Sequence, residues 1–483
     1  MNLIERVIAW LAGQDVSAYL VGGLVRDRLL GRPNYDLDLA VDGDGLALAR
    51  RLANAFDGDY YPLDTERGTG RAILYEQDGR RLVVDVARFR GPDLAADLAD
   101  RDFTINALAA DVRAPELIID HHGGSADLAA GQVRAVSEDS IRNDPLRALR
   151  AVRQAAQLGF VLAPETEALL RRDGPAVAQV SAERQRDELA RLLARPDAAP
   201  WLRYLDDVGL LTAVLPELEP LRGETQPPPH HLGVLAHSLA AVQALEALLA
   251  ALLTPLPAVA EMERAGLAPL LPFAERIGAH LDERLGHGRP RLVSLKLATL
   301  LHDTGKPAAR SEEQGRIRFL GHPQDSARIT AEVMQRLRFN KPEVRLGMTV
   351  ARHHMRPLLL AAQGSVSARA VYRFFRDTKD AGVDVVLHAL ADHRATFAPD
   401  VKDEEWPPLV ALSARMLGDY WQRRQRVTPE PLVSGHDLLR TFDLEPGPHI
   451  GDLLEAVREA QVAGEVHTRE QALALVRRRL DQP

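Results

Sequence analysis

Over roughly the first 120 residues, apolar positions fall in short runs broken by turn residues. These runs predict strands at 18–21, 37–41, 71–75, 82–89 and 117–120. Apolar positions at helical spacing predict helices at 1–14, 45–55 and 103–110. Together they describe a small α/β unit with a mixed sheet. After about residue 138 strand signals fade, and 141–158, 164–171, 182–193 and 199–208 read as helices. The run Gln226-Pro227-Pro228-Pro229 reads as a hinge or linker. A third, helical region extends from about 230 to 400 and carries a Leu/Ala/Pro-rich insertion at 248–290 in which no chemistry is legible. A helical tail follows Pro429. The expected fold class is α+β: a mixed-sheet head over 1–138, a helical neck over 139–225, a helical domain over 226–400 and a helical tail over 401–483.

With 483 residues, 46% of them hydrophobic, the chain is long enough for several packed domains. It has no cysteine, which excludes disulfides, thiolate metal sites and cysteine nucleophiles and is compatible with a reducing compartment. The first residues lack a signal-peptide pattern, so a cytoplasmic location is expected. The longest apolar stretch, around 247–260, contains two prolines and is too short to span a bilayer, so no membrane association is expected. A net charge of −8 excludes a generally basic nucleic-acid binder; contact with RNA would have to come from local basic surface. Oligomeric state is not legible.

The densest chemistry lies at 20–38. An apolar strand ends in Gly22-Gly23, Arg26 and Asp27 follow, and Asp36 and Asp38 stand two apart on a predicted strand. Residues i and i+2 of a strand share a face, so the two carboxylates project together. That arrangement suits a pair of divalent cations about 4 Å apart. The glycines let backbone N–H groups approach a triphosphate, and Arg26 supplies compensating charge. This is equipment for nucleotidyl transfer.

In this order and spacing the residues resemble the signature of the class II tRNA nucleotidyltransferase and poly(A) polymerase family. The resemblance covers about the first 220 residues with four ordered motifs. It implies Mg²⁺ at Asp36 and Asp38, with Asp85 as a third carboxylate helping to polarise the attacking hydroxyl. The run Asp100-Arg101-Asp102-Phe-Thr-Ile-Asn106 is similar to the second motif, which binds ribose and phosphate; the family usually has Arg where Asp100 stands. The run Asp120-His-His-Gly-Gly-Ser-Ala-Asp-Leu128 is similar to the third, read as a structural turn with His121 and His122 as exposed loop residues. In the fourth, Asp144 and Arg147 would read the edge of the incoming base, with Arg150 and Arg153 on the same helix face; Asn143 replaces a common Glu. The implied substrates are tRNA and CTP, with ATP a further candidate. Relatives that add the complete CCA end usually carry a longer loop between the strand at 83–90 and the second motif. Its shortness here resembles enzymes that add two cytidines and leave the last A to a separate A-adding enzyme. Poly(A) polymerase, which shares these motifs, stays open as an alternative.

Farther on, His237, the pair His302-Asp303, and Asp392 resemble the four-ligand core of the HD-type metal phosphohydrolases, with His322 and His353 at positions that bind a second ion. Imidazole and carboxylate donors suit a divalent transition metal or Mg²⁺, and Lys306 is placed to contact phosphate. A phosphohydrolase acting on cyclic phosphates, with the head as an RNA-binding module, is the rival reading. The tail resembles the helical C-terminal region of bacterial family members, and His436 and Asp437 read as structural.

Overall fold

The computed structural model describes residues 2–76, 78–254, 266–286, 288–398 and 403–481. The chain folds as two compact units, one formed by residues 1–188 and 204–214, the other by 189–203 and 215–483.

The first unit is built on seven strands: β1 (Ala18–Val21), β2 (Asp36–Val41), β3 (Asp59–Asp64), β4 (Thr69–Tyr75), β5 (Arg81–Arg88), β6 (Leu108–Asp111) and β7 (Ile118–Asp120). They lie in the order β3-β4-β5-β2-β1-β6-β7. β2 and β5 run parallel; the other neighbours are antiparallel. Its helices include α1 (Leu3–Ala12), α2 (Gly23–Leu29), α3 (Gly45–Ala55), α4 (Leu94–Ala99), α5 (Gly124–Ala130), α6 (Ser140–Asn143) and α7 (Leu146–Leu158), followed by Pro164–Asp173, Leu210–Val214 and the first part of Ala182–Leu193, whose last residues belong to the second unit.

Alternation along the central strands decides the two faces of the sheet. Leu37, Leu39, Ala72, Leu74, Leu82, Val84 and Val86 are buried on the face covered by α3, which contributes Leu48, Ala49 and Leu52. Full burial of each leucine stabilises the fold by about 1.5–3 kcal/mol. The alternate residues Asp36, Asp38, Arg71, Ile73, Val83 and Asp85 are exposed or half-buried on the other face.

Three expectations change. β3 has no period-two pattern because it is a largely exposed edge strand with a proline and a register shift between Pro62 and Asp64, a place where strands tolerate proline. The helix expected at 103–110 is a 3-10 turn, Thr104–Asn106, followed by β6. Leu108, Ala109 and Ala110 are buried between β1 and β7, so the run is continuously apolar, and such a run reads equally well as helix or strand. The helix expected at 141–158 breaks into α6 and α7. Pro145 forces the preceding Asp144 into an extended conformation, φ −145° and ψ 96°.

The run 120–128 turns from the end of β7 into α5. Asp120 accepts hydrogen bonds from the backbone N–H groups of His122, Gly124 and Ser125. Gly123 has φ +74°, and a Cβ on Gly124 would stand 2.2 Å from the Thr104 carbonyl oxygen. His121 is exposed and His122 half-buried.

In the second unit, helices Val234–Leu253, Arg291–Leu301, Lys341–His353, Ala368–Thr378, Gly382–Thr396 and Trp406–Trp421 surround a large apolar core, and His322–Arg336 packs against Lys341–His353. Val234–Leu253 is long and apolar enough to cross a membrane, yet most of it is buried within the fold. Of the insertion at 248–290, residues 255–265 and 287 lie outside the described residues; the described part gives Leu267, Leu270, Phe273, Ile277 and Leu281 to the core. Helices Gly435–Phe442, Pro448–Val462 and Arg469–Leu480 form a small core of their own around Leu438, Val457 and Val476. Asp437 closes a capping box with Ser434 and pairs with Arg469 at 2.7 Å.

Gly124→Ala forces a methyl group against a backbone carbonyl that the turn holds in place. It is expected to destabilise the protein by about 1–3 kcal/mol, read as a lower urea midpoint at unchanged m-value.

Candidate active sites

The open face of the sheet gathers the first candidate site. β1 ends at Val21 and is followed by Gly22, whose φ of +70° favours glycine. A Cβ there would stand 3.3 Å from Arg101 Nη1 and 3.4 Å from Asp38 Oδ2, so backbone, guanidinium and carboxylate converge at this point. At the neighbouring Gly23 a Cβ would meet Arg26 Nη2 at 3.5 Å and Asn34 Nδ2 at 3.7 Å. Asp27 accepts from Asn34 Nδ2 at 2.7 Å, and Asn34 Oδ1 accepts from the Asp36 N–H at 2.8 Å, which fixes the start of β2.

Strand register places the acids. Asp38 stands directly opposite Asp85 across the parallel β2–β5 pair, and Asp85 stands opposite Arg71 on β4. Arg71 donates to both Asp85 oxygens, at 2.7 and 2.8 Å. Asp36 and Asp38 share the face. Burial pushes Asp38 up to about 6; Asp85 adds to the rise, Arg101 opposes it and Asp36 adds again. Three clustered carboxylates with hard oxygen donors fit Mg²⁺, and Asp38 in particular is short of positive charge.

Beneath this surface runs a buried polar network. Arg26 Nη1 donates to Asn106 Oδ1 at 2.8 Å, and Asn106 Nδ2 donates to Asp102 at 2.9 Å and to Gln154 at 3.0 Å. Asp102 takes Arg150 Nη2 at 2.7 Å. Burial alone would raise Asp102; Arg150, Asn106 and the Phe103 N–H outweigh it and hold the carboxyl below its ordinary range. Arg101 pairs with buried Asp97 at 2.8 Å.

The structure thus brings Gly22, Asp36, Asp38, Asp85 and Arg101 to one surface. Arg26, Asp27, Asp102, Asn106 and Arg150 belong to the network that supports it. The remaining residues of the fourth motif already hold protein partners. Arg147 donates to the carbonyls of Asp100, Arg101 and Ser140. Arg153 pairs with Glu188. Asp144 accepts from the Leu146 N–H and from Arg184 at 2.7 Å. Sequence reasoning missed Arg71, Arg184, Asn34 and Gln154, because their roles depend on register and tertiary contact.

The second candidate site lies inside the helical unit. His237, His302, Asp303 and Asp392 are all buried and mutually close. His237 Nε2 is 2.8 Å from Asp392 Oδ1, and His302 Nε2 is 3.1 Å from Asp303 Oδ2 and 3.4 Å from Asp392 Oδ1. His322 Nε2 lies 3.3 Å from Asp303 Oδ1. His353 is not brought to this cluster. Its neighbour His354 is, with Nε2 3.9 Å from Asp303 Oδ1 and 3.3 Å from His322 Nε2. Leu346, Val350 and His354 follow one another at i+4, so the buried helix face points to His354 rather than His353. His388 also joins, its ring 4.7 Å from that of His302; it stands one turn before Asp392 on the same helix. Lys306 Nζ is 2.6 Å from Asp303 Oδ2 and donates to Gln226.

His302 Nε2 and both Asp303 oxygens have no well-formed hydrogen bond although fully buried. Three overlapping groups of donors are close enough to hold ions: His237, His302 and Asp303; His302, His388 and Asp392; and Asp303, His322 and His354. Burial pulls His302 down, but Asp303 and Asp392 outweigh it and push the imidazole up to about 10, so the cluster's field favours a cation at this point. The donor set fits a divalent transition metal.

The chain matches the family description Poly A polymerase head domain over residues 18–134, probable RNA and SrmB-binding site of polymerase A over 159–221, HD domain over 273–398 and tRNA nucleotidyltransferase domain 2 over 412–476. It is 35% identical over 475 residues to the A-adding tRNA nucleotidyltransferase of Deinococcus radiodurans, covering 95% of each chain. It is 34% identical to the CC-adding tRNA nucleotidyltransferase of Thermus thermophilus, covering 95% of this chain and 93% of that one. The Thermotoga maritima CCA-adding enzyme, solved with tRNA, shares the fold with a TM-score of 0.61 at 21% identity, over 99% of this chain and 95% of that chain.

Because the Asp38 pKa of about 6 exceeds the ordinary carboxylate value near 4, its charge opposes folding above pH 6, and the cost fades as pH falls toward 4. Asp38→Asn is therefore expected to stabilise the metal-free protein at pH 8 by about 1–3 kcal/mol. The advantage should shrink between pH 6 and pH 4, as measured by urea titrations in EDTA.

Proposed function

Since the chain belongs to the tRNA nucleotidyltransferase family, we propose that it extends the 3′ end of tRNA by template-independent nucleotidyl transfer from CTP. The observation that carries this reading is the patch of Asp36, Asp38 and Asp85 beside Gly22 and Arg101. Asp36 and Asp38 would hold divalent cations, which when bound polarise the attacking hydroxyl and stabilise the leaving pyrophosphate. Gly22 and Arg101 receive the triphosphate. Asp85, anchored by Arg71, orients the terminal hydroxyl of the acceptor. Asp144 and Arg147 read the base edge, once Arg184 yields the Asp144 oxygen it now occupies and Arg147 turns from the carbonyls it now holds.

We assign addition of two cytidines without the terminal A. Between β5 and α4 the chain crosses in five residues, 89–93. Arg90 is fastened by its N–H to Asp97 at 3.1 Å and by its side chain to the Asp100 carbonyl at 3.3 Å. Such a connection has little freedom to re-aim the base-reading pair from C to A. A separate A-adding enzyme would complete the end. A second reading, terminal-A addition, is favoured by the identity to the Deinococcus radiodurans A-adding enzyme. Incubation with tRNAs lacking CCA or lacking only the final A, with CTP, ATP or both, separates the readings by product length. Two added cytidines and no further growth are expected. Growth only on the CC-ended tRNA with ATP would establish the second reading, and long A tails would indicate a poly(A) polymerase.

The helical unit is proposed to be a metal phosphohydrolase acting on phosphate esters or 2′,3′-cyclic phosphates. His237, His302, Asp303 and Asp392 would hold the ion, which supplies an activated water, and Lys306 would bind the phosphate. The two ligand sets lie in different folding units. His302→Ala with Asp303→Ala is expected to abolish hydrolysis of 2′,3′-cyclic AMP while leaving CMP incorporation within about two-fold of wild type.

A further inference from the structure

The sheet's open face continues well beyond the three carboxylates. Side chains directly opposite one another on neighbouring strands share a face. The register therefore defines one row across the sheet: Asp38 on β2, Asp85 on β5, Arg71 on β4 and Tyr61 on β3. With strands about 4.8 Å apart, Tyr61 stands about 14 Å from the Asp38 strand. Along β4, Ile73 and Tyr75 share the face of Arg71.

This half of the sheet has an unusual surface. Tyr61 is 49% exposed and Tyr75 52% exposed. The exposed tyrosines among the described residues are Tyr35, Tyr61 and Tyr75, and all three stand on or beside this sheet, Tyr35 immediately before Asp36. The adjacent Tyr60 points the other way, under the Arg50 guanidinium on the α3 side, and Tyr61 stands on the open face opposite Arg71.

The direction of the reaction says what this surface faces. Gly22 and Arg101 flank Asp38 on the β1 side, and Asp85 flanks it on the β5 side. A triphosphate received by Gly22 and Arg101 puts its leaving pyrophosphate toward β1. In-line displacement then brings the attacking hydroxyl from the opposite side, over Asp85. On that side of Asp85 the open face continues over β4 and β3, the surface within reach of the nucleotides that carry this hydroxyl.

We propose that the open half of the sheet, with Tyr61 and Tyr75 as stacking groups and Arg71 and Ile73 between them, is the platform for the single-stranded 3′ end of the RNA acceptor. The inference rests on the nucleotidyl-transfer reading above and adds the acceptor's path. Exposed aromatic rings beside aliphatic and guanidinium groups are the surface on which unpaired bases stack without regard to sequence. The platform is not uniformly basic, since Asp59 accepts from the Tyr75 hydroxyl at 2.6 Å. Stacking therefore outweighs phosphate pairing, as suits an acceptor end common to many RNAs.

The test is steady-state kinetics of CMP incorporation into tRNA lacking CCA, for wild type, Tyr61→Ala, Tyr75→Ala, the double variant and Tyr61→Phe. The double variant is expected to raise the KM for tRNA about ten-fold or more, with the KM for CTP within about two-fold, and Tyr61→Phe should match wild type. An unchanged tRNA KM in a folded double variant would overturn the platform. Wild-type protein is also irradiated with the same tRNA extended by one cytidine and carrying 4-thiouridine at the unpaired nucleotide before it. Crosslinks to the peptides bearing Tyr61 or Tyr75 are expected, and crosslinks confined to other segments would overturn the proposal even if the alanine variants failed to fold. Absence of CMP incorporation by wild type would count against the nucleotidyl-transfer reading itself, while the crosslink pattern would still decide the platform.

Discussion

Everything in the first unit is arranged around one parallel strand pair. β2 and β5 meet in a register that sets Asp38 against Asp85, with Asp36 two residues away on the same face. Like charges directly opposite each other are destabilising, and partial burial of Asp38 makes the repulsion worse. The fold answers from its flanks. Arg71 neutralises Asp85 from β4, and Arg101 approaches Asp38 from beyond Gly22. The remaining deficit falls on Asp38, where added positive charge is most favourable. The site's preference for cations is thus a property of the strand register.

Holding Arg101 and the glycine turn in place requires rigidity below the surface, and Asn106 supplies it. Its carbonyl oxygen accepts from Arg26 and its amide nitrogen donates to both Asp102 and Gln154, so the α2 helix, the second motif and α7 meet at one side chain. A buried network with every member satisfied fixes a single geometry, and loss of one member leaves the others unpaired at a cost of about 1–3 kcal/mol each. The glycine turn and Arg101 sit above this junction.

Much of this was legible from the chain. Asp36 and Asp38 could be assigned to one face because strand period is fixed by geometry, and the HD cluster followed from the order of its ligands. What could not be read was anything set by register. Nothing in the sequence pairs Arg71 with Asp85, or turns the apolar run at 108–110 into a strand instead of a helix. The choice of His354 over His353 was available from the i+4 spacing of Leu346 and Val350, and His388 from its place one turn before Asp392. The split at Pro145 was likewise available from proline's restriction of the preceding residue.

The arginines of α7 point inward. Arg147 is bound to carbonyls, Arg150 to Asp102 and Arg153 to Glu188. Arginines whose charge is already met by a carboxylate, as Arg150 and Arg153 are, contribute few counterions to release when a polyanion arrives. RNA bound over this helix would therefore lose little affinity there as ionic strength rises, and a steeper salt dependence would have to come from basic groups elsewhere on the chain.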